Sequence, residues 1–421
     1  MHIGIFTIGS RGDVQPYIAL ALGLKAKGYT VTLGAPENLK GFVERYGINY
    51  HFISGNAEEV INSPEGLRLL RSGSSFSLLR FFAKQGRKLR HEIGAQLMDG
   101  CQKVDFVITS YISTFVIATI AEKLNKKWAI VNVNPPFVKT SERPILDMDF
   151  LNTPWYNRLT YKIYELFHWG INKKDIQEFR KSIDLPPLNI ALPRKIHEDK
   201  ILTISAISPI LYKKPNDWEE QYLMTGFMSL PPEARKQNTS ELASSALGTW
   251  LKAGPKPIYI GFGSIPFPKK EAFLETLTFL LNKTDYRIIF CPGWFRVGNL
   301  PEHPNLFIVD KINHDWLFPK CEAAVIHGGI GTLTAVLKAE IPPIVVSIFA
   351  DQPFWGNEIE KKGLGAHIPS KELSPSRLQK ALKFCQSSSA MKDNIADVGK
   401  KLKQEDGVAK TIEALEQYHL K

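Results

Sequence analysis

Short apolar runs alternate with amphipathic stretches along the first third of the chain. His2 to Ile8 reads as a strand, Tyr17 to Lys27 as a helix closed by Gly28, and Tyr29 to Leu33 as a second strand. Leu39 to Tyr46 reads as a helix capped by Gly47, and Ile48 to Ile53 as a third strand. This order predicts a parallel sheet with right-handed crossovers. Asp105 to Ser110 and Trp128 to Val133 extend it around a helix from Thr114 to Leu124, and Ile201 to Ser205 is its last expected strand. Two stretches interrupt the pattern, and both predict helix. Arg68 to His91 interleaves Arg68, Arg71, Arg80, Lys84, Arg87, Lys88 and Arg90 with Leu78, Leu79, Phe81 and Phe82; Trp155 to Ile183 is rich in aromatic residues.

A polar segment, Leu230 to Ser245, precedes a second alternation. Its expected strands are Pro257 to Phe262, Arg287 to Phe290, Leu306 to Val309, Ala323 to Ile326 and Ile344 to Ile348. Its expected helices are Glu271 to Leu281, a short one from His314 to Phe318, Thr332 to Glu340, Leu373 to Cys385 and Met391 to Gln404, with Gly407 to His419 at the end. A chain of 421 residues exceeds what one hydrophobic core serves. The expected division is therefore a Rossmann-like domain over 1–228, a linker over 229–245, a second Rossmann-like domain over 246–404, and a terminal helix over 405–421.

Composition narrows the class. At 44% hydrophobic and 23% charged residues the chain reads as globular, not disordered. Cys101, Cys291, Cys321 and Cys385 form no CxxC pair, which argues against zinc and a disulfide framework. No apolar run is long enough to span a bilayer. MHIGIFTIGS runs straight into a strand pattern rather than a leader, so a cytoplasmic location is expected. The net charge of +11 calls for an anionic partner or for solvated helix faces. No nucleic-acid module is recognisable. The basic stretch predicts either plain helix packing or peripheral contact with an anionic membrane.

The chemistry gathers at Cys321 to Asn357. Here a buried strand runs into His327, Gly328, Gly329 and Gly331, and then into a helix opened by Thr332. A glycine loop before a helix N-terminus lets an anion approach free N–H groups and the positive end of the dipole. One strand later stand Asp351 and Gln352, placed to hold hydroxyl groups. Gly329 to Thr334 nearly fits the dinucleotide fingerprint of an oxidoreductase, with Asp351 at the right distance. Thr334 occupies the place of its third glycine, and His327 has no role in it. Asp147-Met148-Asp149 spells a metal-binding DxD, a pattern short enough to arise by chance.

His327 to Thr332, then Asp351-Gln352-Pro353-Phe354-Trp355-Gly356-Asn357, preceded by His314-Asp315-Trp316-Leu317-Phe318-Pro319, resembles the donor-binding box of UDP-dependent glycosyltransferases. Gly9-Ser10-Arg11-Gly12-Asp13-Val14-Gln15-Pro16 is similar to the opening turn of the branch that holds sterol glucosyltransferases and bacterial antibiotic and lipid glycosyltransferases. The resemblance implies an α/β GT-B fold: two Rossmann-like domains facing across a cleft, with a C-terminal helix crossing back. It implies inverting transfer of a hexose, glucose by default, from a UDP-sugar (or TDP-sugar) co-substrate to a hydroxyl of a bulky apolar acceptor. No metal and no other cofactor are implied.

Asp13 is the expected base, since the first turn carries no histidine; its other expected job is to cap the helix that follows. Ser10, Arg11, Gly263, Ser264, Trp294, His314, Trp316, His327, Gly328, Gly329, Gly331 and Thr332 are expected to hold the nucleotide and diphosphate. Asp351 and Gln352 are expected to hold the sugar. A GT-B-like epimerase or phosphorylase, or a non-catalytic sugar-nucleotide binder, would share the cradle without this acceptor chemistry.

Overall fold

The computed structural model describes the chain except residues 73–74, 136, 146–147, 149, 236–241, 243, 296, 299, 301 and 421. Asp147 and Asp149, and much of the expected linker, lie outside the described residues. The chain divides into two compact units. One comprises Met1–Val60, Leu79–Leu230 and Asp406–Lys421; the other comprises Ile61–Leu78 and Pro231–Glu405.

The first unit is built on a seven-stranded sheet. Its strands are β1 (His2–Phe6), β2 (Thr30–Pro36), β3 (Asn49–Ile53), β4 (Phe106–Thr109), β5 (Lys127–Asn132), β6 (Thr203–Ser205) and β7 (Tyr222–Met224). They pair in parallel in the order β3-β2-β1-β4-β5-β6-β7. Ile3, Ile5 and Phe6 are fully buried, as a central parallel strand covered on both faces requires. The Phe6 ring fills space that side chains would otherwise take: a Cβ on Gly4, Gly34 or Gly100 would stand 2.7, 2.5 and 2.5 Å from it. The β7 strand lies beyond the expected last strand. With three residues and no alternating pattern it is invisible to a periodicity reading.

The first helix runs Arg11–Ala26, beginning six residues before the expected Tyr17. Ser10 is its N-cap and Asp13 its third residue, and together they close a capping box. Pro16 sits inside this helix, where a proline usually marks a boundary. The terminal helix, Gly407–Leu415, packs on the first. A Cβ on Gly23 would come within 2.5 Å of Val408 and 2.8 Å of Ile412. Thr225 and Thr411 share a buried hydroxyl hydrogen bond of 2.7 Å. The return of the chain end to the first unit is as expected.

The aromatic insert forms a single helix, Pro154–Ser182. The basic stretch is divided among three helices, Pro64–Ser72, Ser75–Lys88 and Arg90–Gln102. Two of its arginines are held by the long helix. Arg87 Nε lies 2.8 Å from Asp175, and Arg90 reaches both Asp175 and Glu178 at 2.6 Å. On the same helix the buried Arg180 forms a two-pronged pair with Glu122, whose pKa it holds below the ordinary carboxylate value.

The second unit carries a six-stranded parallel sheet: β8 (Ile258–Gly261), β9 (Ile288–Cys291), β10 (Leu306–Ile308), β11 (Ala323–Ile326), β12 (Pro343–Ser347) and β13 (Ala366–Pro369). Its order is β10-β9-β8-β11-β12-β13, so the strand order reverses between β8 and β11. In the first unit it reverses between β1 and β4. Helix Ile330–Lys338 connects β11 to β12, and helix Gln352–Lys361 connects β12 to β13. That second helix is not among the expected elements; Pro353 and Gly356 interrupt its helical pattern.

Filling the seat of the terminal helix tests its role. Gly23→Val should overpack against Val408 and Ile412 and cost about 1–3 kcal/mol, lowering the melting temperature of the chain. A melting temperature equal to that of the parent would show that this contact contributes little.

Candidate active site

In the first unit, the turn after β1 delivers Asp13. Ser10 donates to Asp13 Oδ2 twice, from its backbone N–H at 2.7 Å and from its hydroxyl at 3.0 Å. The Ser10 hydroxyl in turn accepts from Gly12 N–H at 3.2 Å. Both bonds to Asp13 fall on one oxygen, so Oδ1 is left for other work. Asp13 borders an open pocket of about 220 Å³ whose wall includes Thr7, Tyr17, Ser110, Tyr111 and Asn134. The pocket therefore lies where the strand order reverses, at the carboxyl ends of β1 and β4. Burial pushes the Asp13 pKa above its ordinary value, against the opposing pull of the Ser10 bonds. Arg11 is exposed; it bonds Gln15 on the same helix and lies 4.7 Å over the Phe42 ring.

Tyr111 ties the pocket to an aromatic stack that the sequence reading missed. Its hydroxyl lies 2.6 Å from that of Tyr164, and its ring stacks on Phe137 at 4.7 Å. Phe137 stacks in turn on Tyr164 at 4.9 Å, and Tyr164 stacks on His168 at 5.5 Å. Burial pulls the His168 pKa down to about 4 and raises that of Tyr164 to about 12. Spacing on the long helix could have paired Tyr164 with His168, but not with Tyr111 and Phe137.

In the second unit, three loops meet at the reversal point. Gly263 follows β8, and its carbonyl accepts from Trp294 N–H, after β9, at 3.0 Å. Gly293 packs so closely that a Cβ there would stand 2.1 Å from the Gly263 oxygen. His327 follows β11, and its ring sits between two glycines. A Cβ on Gly263 would be 3.0 Å from it, and one on Gly329 only 2.5 Å. Gly329 is the N-cap of the helix Ile330–Lys338 and no side chain caps it, so the first-turn N–H groups at Ile330, Gly331 and Thr332 lack that partner. Gly328, at φ 95°, makes the turn into that helix. His327 Nδ1 is buried without a partner among the described residues, and burial lowers its pKa to about 4. Burial thus holds the imidazole neutral at pH 7.

After β12, Asp351 is the N-cap of helix Gln352–Lys361. Its Oδ2 accepts from the indole N–H of Trp355 at 2.9 Å, one helical turn on. Gln352 is buried, and its Oε1 accepts from Ile348 and Phe349 N–H at 2.8 and 3.2 Å. Trp355 and Asn357 are thus supports that were not singled out; Asn357 pairs with His367 at 2.9 Å. The i, i+4 spacing of Asp351 and Trp355 is a signal that could have found the first. His314 opens its short helix and stacks on Phe318 at 4.4 Å. Trp316 is buried with Lys320 4.2 Å over its ring, whereas Trp294 is half-buried and Ser264 is also partly exposed.

Family models agree with both halves. The glycosyltransferase family 28 N-terminal domain matches residues 3–139, and the erythromycin biosynthesis protein CIII-like C-terminal domain matches residues 290–415. Two sterol 3-beta-glucosyltransferases of Arabidopsis thaliana are 32% and 31% identical over 98% and 99% of this chain. The chain spans 65% and 68% of their lengths. An O-mycaminosyltylonolide 6-deoxyallosyltransferase of Streptomyces fradiae is 28% identical, covering 99% of this chain and 97% of that protein. The chain belongs to the GT-B glycosyltransferases.

Solved structures share the fold at low identity. The kitacinnamycin glycosyltransferase superposes with a TM-score of 0.71 at 15% identity, over 99% of this chain and 98% of that one. The calicheamicin glycosyltransferase gives 0.66 at 15%, over 99% and 97%. A Streptomyces glycosyltransferase crystallised with thymidine diphosphate gives 0.62 at 17%, over 99% of each chain.

Buried neutral imidazoles make this glycosyltransferase acid-sensitive. The folded His327 and His168 bind a proton only near pH 4, against an ordinary value of 6.5. The unfolded chain takes up protons first, so stability is intact above about 6.5 and falls as pH drops toward about 4. NMR of labelled histidine should show two imidazoles still neutral at about pH 5. Ordinary titration of all ten histidines would contradict this.

Proposed function

We propose that this glycosyltransferase moves a hexose, glucose by default, from UDP-sugar to a hydroxyl of a bulky apolar acceptor, with inversion and without a metal. The observation that carries the reading is Asp13: a carboxylate held by Ser10 through one oxygen, desolvated, and facing an open pocket. The acceptor hydroxyl enters that pocket and gives its proton to Asp13 Oδ1. Its oxygen then forms the new bond to the anomeric carbon while the bond to the diphosphate oxygen breaks on the opposite face. A pKa raised toward the working pH makes Asp13 a stronger base than an exposed carboxylate.

The departing UDP carries the negative charge. The first-turn N–H groups of helix Ile330–Lys338, its dipole, and His327 are the groups that meet it, with Ser264 as a further donor. Asp351 and the Gln352 NH₂ hold sugar hydroxyls, and Trp294 borders the base. Trp316, already covered, supports the short helix. His314 completes the diphosphate contacts in this reading.

The recess beside Asp13 is open to solvent, so in this reading it takes the hydroxyl-bearing end of an acceptor. The relatives named for sterols and for a macrolide support a rigid polycyclic or macrocyclic alcohol as the acceptor class. The relative crystallised with thymidine diphosphate makes TDP-sugars the first alternative donors to try.

Two variants separate base from cap. Asp13→Asn keeps an acceptor for Ser10 and should melt like the parent while losing about 10²-fold or more in kcat/KM. Asp13→Ala should also lose about 1 kcal/mol of stability. In the parent, kcat/KM should fall as acid protonates Asp13, with the midpoint above the ordinary carboxylate value. Near-parental activity of Asp13→Asn would remove it as the base. A panel of nucleotide sugars and polycyclic alcohols, read by UDP release and product mass, should give one inverted glycoside, unchanged by EDTA. Loss of transfer in EDTA, restored by a divalent ion, would overturn the metal-free mechanism.

A further inference from the structure

The front half of the long helix Pro154–Ser182 is patterned inside out. Asn157 and Thr160 are buried and hydrogen-bonded, Asn157 to Ser141 and Asn152, and Thr160 to Ile145. Tyr161 is buried beside them, but a row of large apolar side chains faces solvent: Trp155 is 63% exposed, Leu159 41%, Ile163 44% and Leu166 61%. Positions 155, 159, 163 and 166 share one side of a 3.6-residue helix. Phe150 and Leu151, just before it, are exposed as well. Scattered exposed leucines are ordinary, but a continuous stripe on one helix face marks a docking surface.

Charge identifies the occupant. Arg158 and Lys162 are exposed on the same side as the stripe, and Lys173 continues it further along the helix, where Lys174 is paired with Glu178. The helix acids lie elsewhere: Asp175 and Glu178 are held by Arg87 and Arg90, and Glu165 is only half exposed, within electrostatic reach of Arg194. The outward face is thus apolar and cationic. A second copy of this chain would set the same cations against each other, whereas an anionic lipid surface takes both features at once. Among the described residues no helix is long and apolar enough to cross a membrane, so the mode is docking in the interface.

We propose that the outward face of this helix, Trp155, Arg158, Leu159, Lys162, Ile163 and Leu166, seats the protein on an anionic membrane surface. The aromatic stack of Tyr164 and His168 lies on the same helix, and it joins the pocket at Tyr111. Lipid docking therefore sets the wall of the pocket close to a source of apolar alcohols. The basic stretch contributes less than its charge suggests, because Arg87 and Arg90 are already paired.

Flotation of the full chain with equimolar phosphatidylglycerol and phosphatidylcholine vesicles, without sugar nucleotide, tests docking separately from transfer. The chain should float at low salt and be released at high salt. Leu159→Ser with Leu166→Ser should lower the vesicle partition about tenfold or more. Arg158→Glu with Lys162→Glu should abolish the preference for phosphatidylglycerol. Brominated lipid should quench the parent more than Trp155→Phe. All these side chains are exposed, so melting temperatures should match the parent and report intact folding. Absent flotation, or flotation unchanged in the Leu159/Leu166 variant, would overturn the proposal. So would a dimer seen by light scattering that the same variant dissociates, since the stripe would then seat a second copy.

Discussion

A parallel sheet sends the carboxyl ends of all its strands to one edge, and where the strand order reverses, neighbouring loops diverge and leave backbone groups uncovered. Both sheets of this chain reverse beside their first strand, between β1 and β4 and between β8 and β11. Asp13 and Tyr111 follow one pair of strands; Gly263 and His327 follow the other. The candidate chemistry of each unit stands where the reversal of its strand order opens a crevice without breaking a hydrogen-bond ladder. Close packing elsewhere, down to the Phe6 ring against Gly4, Gly34 and Gly100, holds those edges in place.

Several candidate site residues carry a structural duty through a side-chain oxygen. Asp13 spends Oδ2 on the capping box that starts the first helix. Asp351 gives Oδ2 to the Trp355 indole, and Gln352 gives Oε1 to two backbone N–H groups. Each of these bonds fixes a rotamer before a ligand arrives, which lowers the entropy lost on binding. His327 differs. Its Nδ1 is buried and unpartnered among the described residues, a cost of about 1–3 kcal/mol that persists in a fold only when something else, such as a ligand, compensates for it.

The long helix shows the same division along its length. Its second half is a conventional packed helix, with Ile176, Phe179 and Arg180 buried. Its first half buries Asn157, Thr160 and Tyr161 and exposes Trp155, Leu159, Ile163 and Leu166. The neighbouring loop contributes to the inversion, because the Ser141 carbonyl accepts from the Asn157 NH₂ and the Ile145 N–H donates to the Thr160 hydroxyl. Once those polar groups are turned inward, helical geometry turns Trp155, Leu159 and Leu166 outward.

Strand and glycine-turn chemistry were legible from residues alone, because they are local. Apolar runs marked β1, β4, β5, β8, β9, β11 and β12, and His327 to Thr332 announced an anion cradle on a helix start. The glycosyltransferase motifs were readable for the same reason, since each is a continuous segment. Where a local signal was absent or contradictory, the reading failed. The first helix begins at Arg11 because a capping box outweighs Pro16, and three-residue β7 carries no period. Contacts between distant residues were beyond the sequence altogether. The Tyr111–Phe137–Tyr164–His168 stack joins three separate segments, the Arg87 and Arg90 pairs cancel charge that looked available, and the exposure of Trp155 depends on where the polar groups of its helix find partners. The sequence by itself determined the alternating α/β pattern, the motifs and the charge, which act over a few residues. Only the tertiary structure decided which cations are paired, which aromatic rings are covered and which oxygen of Asp13 is held by Ser10, because those depend on what packing brings within a few ångströms.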